Sequence, residues 1–150
     1  MNIVAADPKA RALSADEVVA LLAEPLLMRL GVSDEDGWPL VHPVWHLFEG
    51  GVFRLLVEKA SVKARVLRAT PRAYFTVDTA SGGQARGVRG RASARVIDDA
   101  ALAVDVCRRE LVKYMGTAEG AFAEEMLGAA RAGAMSVVEL TPLRFAAFGY

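Results

Sequence analysis

The chain has a single cysteine, Cys107, among its 150 residues. A lone cysteine excludes a disulfide within the chain and a metal site built from several thiolates. Because Cys107 falls inside a predicted helix, we expect it to be a small buried apolar residue. His42 and His46 are four residues apart on a predicted strand, about 13 Å from one another, so they cannot share an ion. We therefore predict no metal site.

Net charge is also missing, since 18 Lys and Arg residues balance 18 Asp and Glu residues. This balance argues against nucleic acid as the natural partner, because proteins that bind phosphate backbones usually carry a basic surplus. One predicted strand does concentrate arginines, but no aromatic residues alternate with them to stack on bases. A nucleic-acid-binding barrel is therefore the weakest of the interpretations. The arginines concerned are Arg86, Arg89, Arg91 and Arg95.

Long apolar runs are absent as well, and none approaches the roughly 18 residues of a membrane-spanning helix. The first residues, with Asp7 among them, do not resemble a signal peptide, so we expect a cytoplasmic protein without membrane contact. Hydrophobic residues nevertheless make up 53% of the chain, above the average for a globular domain. We expect some of this excess to be buried between subunits. The length fits one domain over residues 1–150, with a flexible N-terminal segment at 1–12.

What the sequence does contain is a series of segments in which apolar and polar residues alternate, as in half-buried strands. Gly50 and Gly51 predict a tight hairpin turn, and Gly37 lies in a turn between two earlier strands. The predicted strands cover residues 26–32, 40–48, 52–58, 72–78, 88–97, 135–140 and 143–148.

Helices are predicted around these strands. Ser14 and Glu17 form a capping box at the start of the first helix, and residues 61–69 form a short second one. Residues 99–115 and 119–132 are expected to pair as antiparallel helices separated at Gly116. Six or seven strands joined mostly by short turns predict a mainly β, α+β fold, an antiparallel split β-barrel with peripheral helices.

The short helix begins with Ser61, Val62, Lys63, Ala64 and Arg65, directly after a predicted strand. Helix starts leave backbone N–H groups unpaired and carry the positive end of the dipole, which favours an anion. A lysine adds a point charge, and an arginine adds a planar fork that can bind phosphate oxygens. The segment therefore predicts a phosphate site, although serine caps with nearby cations also begin many helices that bind nothing.

The sequence contains no motif for catalysis by side chains alone. A nucleophile elbow, a glycine-rich dinucleotide fingerprint and a Walker loop are all missing. Chemistry, if present, is therefore expected to come from a bound cofactor. Alternation along residues 88–97 places Arg89 and Arg91 on one face and apolar residues on the other, so these two arginines are the candidate catalytic residues if that face meets the cofactor.

Taken in order, these segments resemble the flavin-binding split β-barrels. The resemblance covers residues 13–150 and runs through Pro43, Val44 and Trp45, the glycine hairpin, the helix start at Ser61, and the strand that carries Arg89 and Arg91. This superfamily includes the pyridoxamine 5′-phosphate oxidases and the flavin- and deazaflavin-dependent reductases.

The resemblance implies a homodimer with cofactor bound at the subunit interface. Ser61 and Lys63 would hold the cofactor phosphate, with Arg65 as a further contact. The ring would lie against two neighbouring strands, where Trp45 either flanks it or belongs to the core. The strand residues implied are Pro43, Val44, Trp45 and His46, together with Leu56, Val57 and Glu58.

Departures from the family pattern indicate which reaction of the family is not expected. The Arg–Gln pair of pyridoxamine phosphate oxidases aligns with Gln84 and Ala85, Val62 replaces their arginine before the helix lysine, and the C-terminal residues 144–150 contain no histidine. Oxidation of vitamin B6 is therefore not expected. The resemblance implies a flavin-dependent oxidoreductase that transfers hydride between FMN, or alternatively coenzyme F420, and a small organic substrate. The alternative is a flavin- or haem-binding protein that does not turn over.

Overall fold

The computed structural model describes residues 1–150 and contains one curled sheet with four helices. Seven strands follow one another by antiparallel pairing in the order β3-β2-β6-β7-β8-β5-β4, and β9 pairs with β7 beside this path. The predicted α+β split β-barrel is therefore confirmed. In chain order the elements are β1 (Ile3–Ala5), α1 (Ala15–Ala23), β2 (Met28–Ser33), β3 (Pro39–Val44), β4 (Leu47–Glu49), β5 (Val52–Glu58), α2 (Val62–Ala69), β6 (Arg72–Thr79), β7 (Arg86–Ile97), α3 (Ala100–Met115), α4 (Ala121–Arg131), β8 (Met135–Pro142) and β9 (Phe145–Gly149).

Two apolar cores lie on opposite sides of the sheet. The first fills the barrel and contains, among others, Phe53, Phe75 and Leu140, each with no exposed surface. The second lies between the α3–α4 pair and the outer face of β4, β5 and β8. Cys107 is buried in this second core, as predicted, and burial raises the pKa of its thiol.

The predicted helices are present with their expected ends. Ser14 and Glu17 make both bonds of a capping box at the start of α1. Gly116 ends α3 in the left-handed conformation, with φ of 78°, which a residue with a side chain rarely adopts. No helix is long and apolar enough to cross a membrane.

The single strand predicted over residues 40–48 is wrong, because β3 ends at Val44 and β4 begins at Leu47. Apolar residues continue through the break, from Val44 and Trp45 to Leu47 and Phe48, which is why the pattern does not reveal it. Before the break, β3 pairs with β2, and after it, β4 pairs with β5. Two α3 side chains form hydrogen bonds with the backbone of His46. Its N–H donates to the Tyr114 hydroxyl at 3.1 Å, and its carbonyl accepts from Lys113 at 2.9 Å.

Both chain ends contain pairing that the sequence did not predict. Residues 1–12 were expected to form a flexible segment, but β1 within them pairs in parallel with β9. Arg11 also forms a bridge with Gly149. Near the other end, β8 continues through Thr141 and Pro142, which were expected to separate two strands. The only parallel pair in the sheet thus joins the two ends of the chain.

Candidate functional site

The barrel is open along one seam, which we call the split. β3 pairs only with β2, and β5 pairs with β4 only as far as Arg54. If the β4–β5 register continued backwards, Trp45 would lie opposite Leu56 and Pro43 opposite Glu58. Those ladder bonds are not made, because the chain breaks away at Trp45 and His46. The split is therefore bounded by two chain segments, 43–46 and 56–58, that do not pair with each other.

The start of α2 follows directly after one edge of the split. Ser61 caps the helix by accepting the N–H of Ala64, at 3.3 Å, through its side-chain oxygen. The backbone N–H groups of Val62 and Lys63 donate to no acceptor in the chain. The half-buried Lys63 forms no ion pair or hydrogen bond. Two free N–H groups and an unpaired ammonium at a helix start fit an anion such as a phosphate.

His42 adds an unsatisfied polar atom beside this helix start. Its Nε2 is the one buried side-chain nitrogen or oxygen in the chain with no hydrogen-bond partner. Burial and then the positive charge of Lys63 lower the pKa of the imidazole. Buried polar groups are seldom left unpaired in native proteins. The neutral His42 ring is therefore a further group at the split that can accept or donate one bond.

Arg65, the third member of the predicted phosphate clasp, is differently placed. Its side chain is exposed and lies 3.4 Å from Glu35, an exposed residue of the β2–β3 turn. Exposed pairs of this kind are weak, so a phosphate can compete for the guanidinium. Lys63 is thus unpaired at the helix start, whereas Arg65 is paired with Glu35.

The structure divides the predicted ring-binding residues into three groups. Pro43 and Glu58 are exposed at the edges of the split. Val44 and Val57 point into the barrel core, where they are 8% and 2% exposed. The side chains of the third group pack against α3 and α4, where His46 is fully buried and the other two are half-buried. This covered group is Trp45, His46 and Leu56.

Trp45 belongs to the second core. Its ring stacks on Tyr114 with centroids 4.9 Å apart and an interplanar angle of 1°, and it meets Phe122 edge-on. Such aromatic pairs add to the free energy gained from burial alone. The structure therefore supports the core interpretation of Trp45.

A buried polar cluster supports the covered edge of the split. Glu110 accepts the N–H of Leu56 at 3.1 Å, at a position where β5 has lost its β4 partner. The Tyr114 hydroxyl donates to the Leu26 carbonyl at 2.9 Å and lies 3.0 Å from Nδ1 of His46. Glu110, Lys113 and Tyr114 lie three and four residues apart on one face of α3. They supply the hydrogen bonds that a continuous strand would have made.

Burial shifts the pKa of each group in this cluster. It raises the pKa of Glu110 to about 8 and lowers that of Lys113 to about 8. It also lowers the pKa of His46 to about 3, with the Lys113 charge acting in the same direction. At neutral pH the Glu110 carboxyl therefore keeps its proton and His46 is neutral.

A large cavity of about 780 Å³ lies on the outer face of the sheet, over β2, β3, β6 and β7. Arg91 lines it, directly opposite Tyr74 of β6. Arg72, two residues before Tyr74 on the same face, and Arg29 of β2 line it as well. The cavity is lined by three arginines and no acidic residue.

The remaining arginines of β7 are engaged within the chain. Arg89 donates to the Ala6 carbonyl at 3.0 Å, so the N-terminal segment holds it. Arg86 pairs with Glu24 at 2.8 Å, and Arg95 pairs with Glu139 at 3.0 Å. Of the two candidate catalytic arginines, Arg91 alone faces the large cavity. These partners also leave little of the basic strand free for a nucleic acid.

Several residues of this region were not predicted from the sequence. Arg72 and Tyr74 could have been found, because β6 and β7 are joined by a short loop and alternation places both residues on the face of Arg91. The α3 cluster had no comparable signal, since its partners are backbone groups 54 to 88 residues away in sequence.

Solved structures with the same fold were found at low sequence identity. An FAD-binding protein from Mesorhizobium loti has a TM-score of 0.68 and 21% identity, covering 94% of this chain and 97% of that one. An F420 reductase gives 0.63 and 20%, covering 84% and 93%. HutZ, a haem storage protein from Vibrio cholerae, gives 0.65 and 17%, covering 85% and 89%. At these identities the similarity shows the fold.

The sequence itself identifies the family. No curated protein matches the chain. A sequence profile of the pyridoxamine 5′-phosphate oxidase family matches residues 14–148, which include the split, the α2 start and the outer-face cavity. The chain belongs to the pyridoxamine 5′-phosphate oxidase family.

Proposed function

We propose that the protein is a flavin-dependent oxidoreductase that binds the phosphate of its cofactor at the start of α2. The main support for this proposal is the helix start itself, where two free backbone N–H groups and the unpaired Lys63 ammonium lie beside the split. The bound ring would supply hydride transfer to or from a small organic substrate. The chain's part is to bind, to orient and to exclude water.

The phosphate-binding groups are Ser61, Lys63 and the N–H groups of Val62 and Lys63. The Ser61 oxygen already accepts one bond, which leaves its O–H free to donate to a phosphate oxygen. Lys63 contributes charge, and Arg65 becomes a further contact if it leaves Glu35. All of these groups favour a dianion, so a phosphorylated cofactor is better matched than a neutral one.

The ring is proposed to lie along the split, against the backbone from Pro43 to His46 and from Leu56 to Glu58. The ring edge would bond to backbone groups of these segments other than the N–H and C=O of His46 and the N–H of Leu56, which bond to α3 side chains. FMN is the first choice of cofactor, because one phosphate satisfies the α2 site. Coenzyme F420 is the alternative, and the similar fold of an F420 reductase supports it.

A homodimer is part of this proposal, with the cofactor at the interface between subunits. Large apolar side chains remain exposed in the single chain, more than isolated surface residues would explain. They include Trp38, Val112, Met115 and Phe122, each at least half exposed.

Replacing Lys63 with Ala tests the phosphate site. Loss of one charge-assisted contact, worth about 1.5 to 3 kcal/mol, should weaken FMN binding by about tenfold to a hundredfold. The measurement is quenching of flavin fluorescence on titration, with circular dichroism to confirm the fold. Lys59→Ala is the matched control, since this exposed lysine lies just before Ser61 and is not part of the site. Equal FMN affinities for Lys63→Ala and wild type would refute the phosphate site.

The second candidate function is a protein that binds flavin or haem without turnover. The similar fold of the haem storage protein HutZ supports this candidate, and His42 is a histidine beside the split with a nitrogen unpaired. The absorption spectrum of the purified protein separates the cases, because flavin, deazaflavin and haem absorb in different regions. Reduction of bound FMN by a nicotinamide donor, followed by reoxidation with an organic acceptor, would favour the enzyme.

A further inference from the structure

We propose that the outer-face cavity binds a small planar organic anion. The binding of this anion rests on the cavity alone and is independent of the proposed function. The site is distinct from the phosphate site at the start of α2, because Ser61 and Lys63 do not line it.

The unpaired arginines of the cavity favour an anion as its ligand. Arg29 forms an ion pair with Asp78 at 2.9 Å. Arg72 and Arg91 form no ion pair and no side-chain hydrogen bond, although both are exposed to the cavity. By contrast, Arg86 and Arg95 of the same strand both have glutamate partners. In a chain of zero net charge, two unpaired guanidinium groups are concentrated in one concave surface.

The pairing of β6 with β7 brings the two unpaired arginines close together. Tyr74 and Arg91 are directly opposite in the β6–β7 ladder, and Arg72 lies two residues along β6 on the same face. Side chains at opposite and alternate positions of adjacent strands lie about 5 to 8 Å apart. The two guanidinium groups can therefore approach one carboxylate, sulfonate or phosphate. Arginine binds such groups through paired N–H donors.

The apolar and aromatic residues that line the cavity favour an anion whose remaining part is apolar and planar. Tyr74 is 48% exposed, and Val41 and Leu143, which also line the cavity, are 65% and 69% exposed. Gly31 of β2, opposite Tyr74, has no side chain to fill the floor. The volume of about 780 Å³ falls within the range of small-molecule sites.

The test compares a planar aromatic anion with its neutral analogue, using fluorescence titration of the cofactor-free full chain. The probes are 8-anilinonaphthalene-1-sulfonate and N-phenyl-1-naphthylamine, which differ by the sulfonate. The variants are Arg72→Gln, Arg91→Gln and both together. Arg95→Gln is the matched control, because it lies on the same face of β7 but outside the cavity.

We expect wild type to bind the sulfonate at least tenfold more tightly than the neutral probe. Each cavity variant should lose about tenfold in affinity for the sulfonate, the double variant should no longer distinguish the probes, and Arg95→Gln should match wild type. Unchanged sulfonate binding in both single variants would overturn the proposal. So would probe binding that disappears as the chains associate in sedimentation experiments, because a second copy would then fill the cavity.

Two further measurements separate this proposal from the proposed function. Lys63→Ala should weaken FMN binding and leave sulfonate binding unchanged, whereas Arg72→Gln should do the reverse. If wild type binds the sulfonate and no flavin, the anion site stands and the oxidoreductase does not. If sulfonate binding depends on Lys63, the cavity is not a separate site, and the proposal fails.

Discussion

Glu110 places an ionisable group in the second core, where it is 2% exposed. Its carboxyl accepts the N–H of Leu56 at 3.1 Å, and no ion pair forms there. A charged carboxylate in that position would lose its hydration without a cation in contact, so the neutral form is favoured. Glu110 therefore holds its proton at neutral pH while it accepts the N–H of Leu56.

Stability should consequently depend on pH through Glu110. Its folded pKa of about 8 lies above the usual 4.5, so between these values the folded state holds a proton that the unfolded state releases. Stability from this group is present at low pH and falls as pH rises towards 8. His46 opposes this trend only below about 6.5, because its folded pKa is lowered. Lys113 makes stability rise with pH only above about pH 8, because its pKa is lowered to about 8 in the folded state.

Glu110→Gln should remove the fall between pH 6.5 and 8. Wild type should lose up to about 1.4 kcal/mol per pH unit across that window, whereas the amide, which keeps the bond to Leu56, should show little slope. Urea unfolding at four pH values measures this difference. The exposed Glu125→Gln on α4 is the control and should follow wild type. A parallel decline in Glu110→Gln would show that another group is responsible.

At the scale of the elements, β7 and the β8–β9 turn are packed so closely that a side chain is excluded at one position. A Cβ at Gly90 would overlap the carbonyl oxygen of Arg144, and the ring of Phe75 is 3.1 Å away. Arg91 follows directly, and its carbonyl accepts from Leu143 at 2.8 Å. The shape of the outer-face cavity near Leu143 therefore depends on glycine at position 90.

Gly90→Ala should destabilise the fold by about 1 to 3 kcal/mol or more, because backbone atoms would have to shift. Gly128→Ala is the contrasting change, since Gly128 lies within α4 with nothing within 4 Å of its added Cβ. That substitution should stabilise by about 0.5 to 1 kcal/mol through the helix propensity of alanine. Thermal unfolding of both variants measures the difference. Similar melting temperatures for the two would contradict the close packing at β7.

At the scale of the whole molecule, the expected homodimer should bury more than about 2,000 Å² in total, as obligate interfaces do. The chain should therefore sediment as a dimer at micromolar concentration, independent of salt, because apolar burial depends little on screening. Light scattering at two concentrations gives a second measurement. A monomer that still binds cofactor would contradict a site shared between subunits.

The strand and helix pattern could be predicted because it is local. Alternation gave the limits of β5, the capping box placed α1, and the glycines at positions 37, 50 and 51 all adopt positive φ. The helix start at Ser61 was also found, since the cap, the cations and the preceding strand are contiguous in sequence. The break between β3 and β4 was missed, because apolar residues run through it while the hydrogen-bond partners change.

By itself, the sequence determined where the turns lie, which face of β7 is apolar, and that Ser61 and Lys63 begin a helix after a strand. These properties depend on side chains a few positions apart. Only the tertiary structure decided that Trp45, His46 and Leu56 are covered by α3 and α4, and that Arg91 faces a cavity while Ala6 holds Arg89. Burial and pairing of this kind depend on residues from distant segments, such as Glu110 and Leu56, which meet only after the sheet has curled.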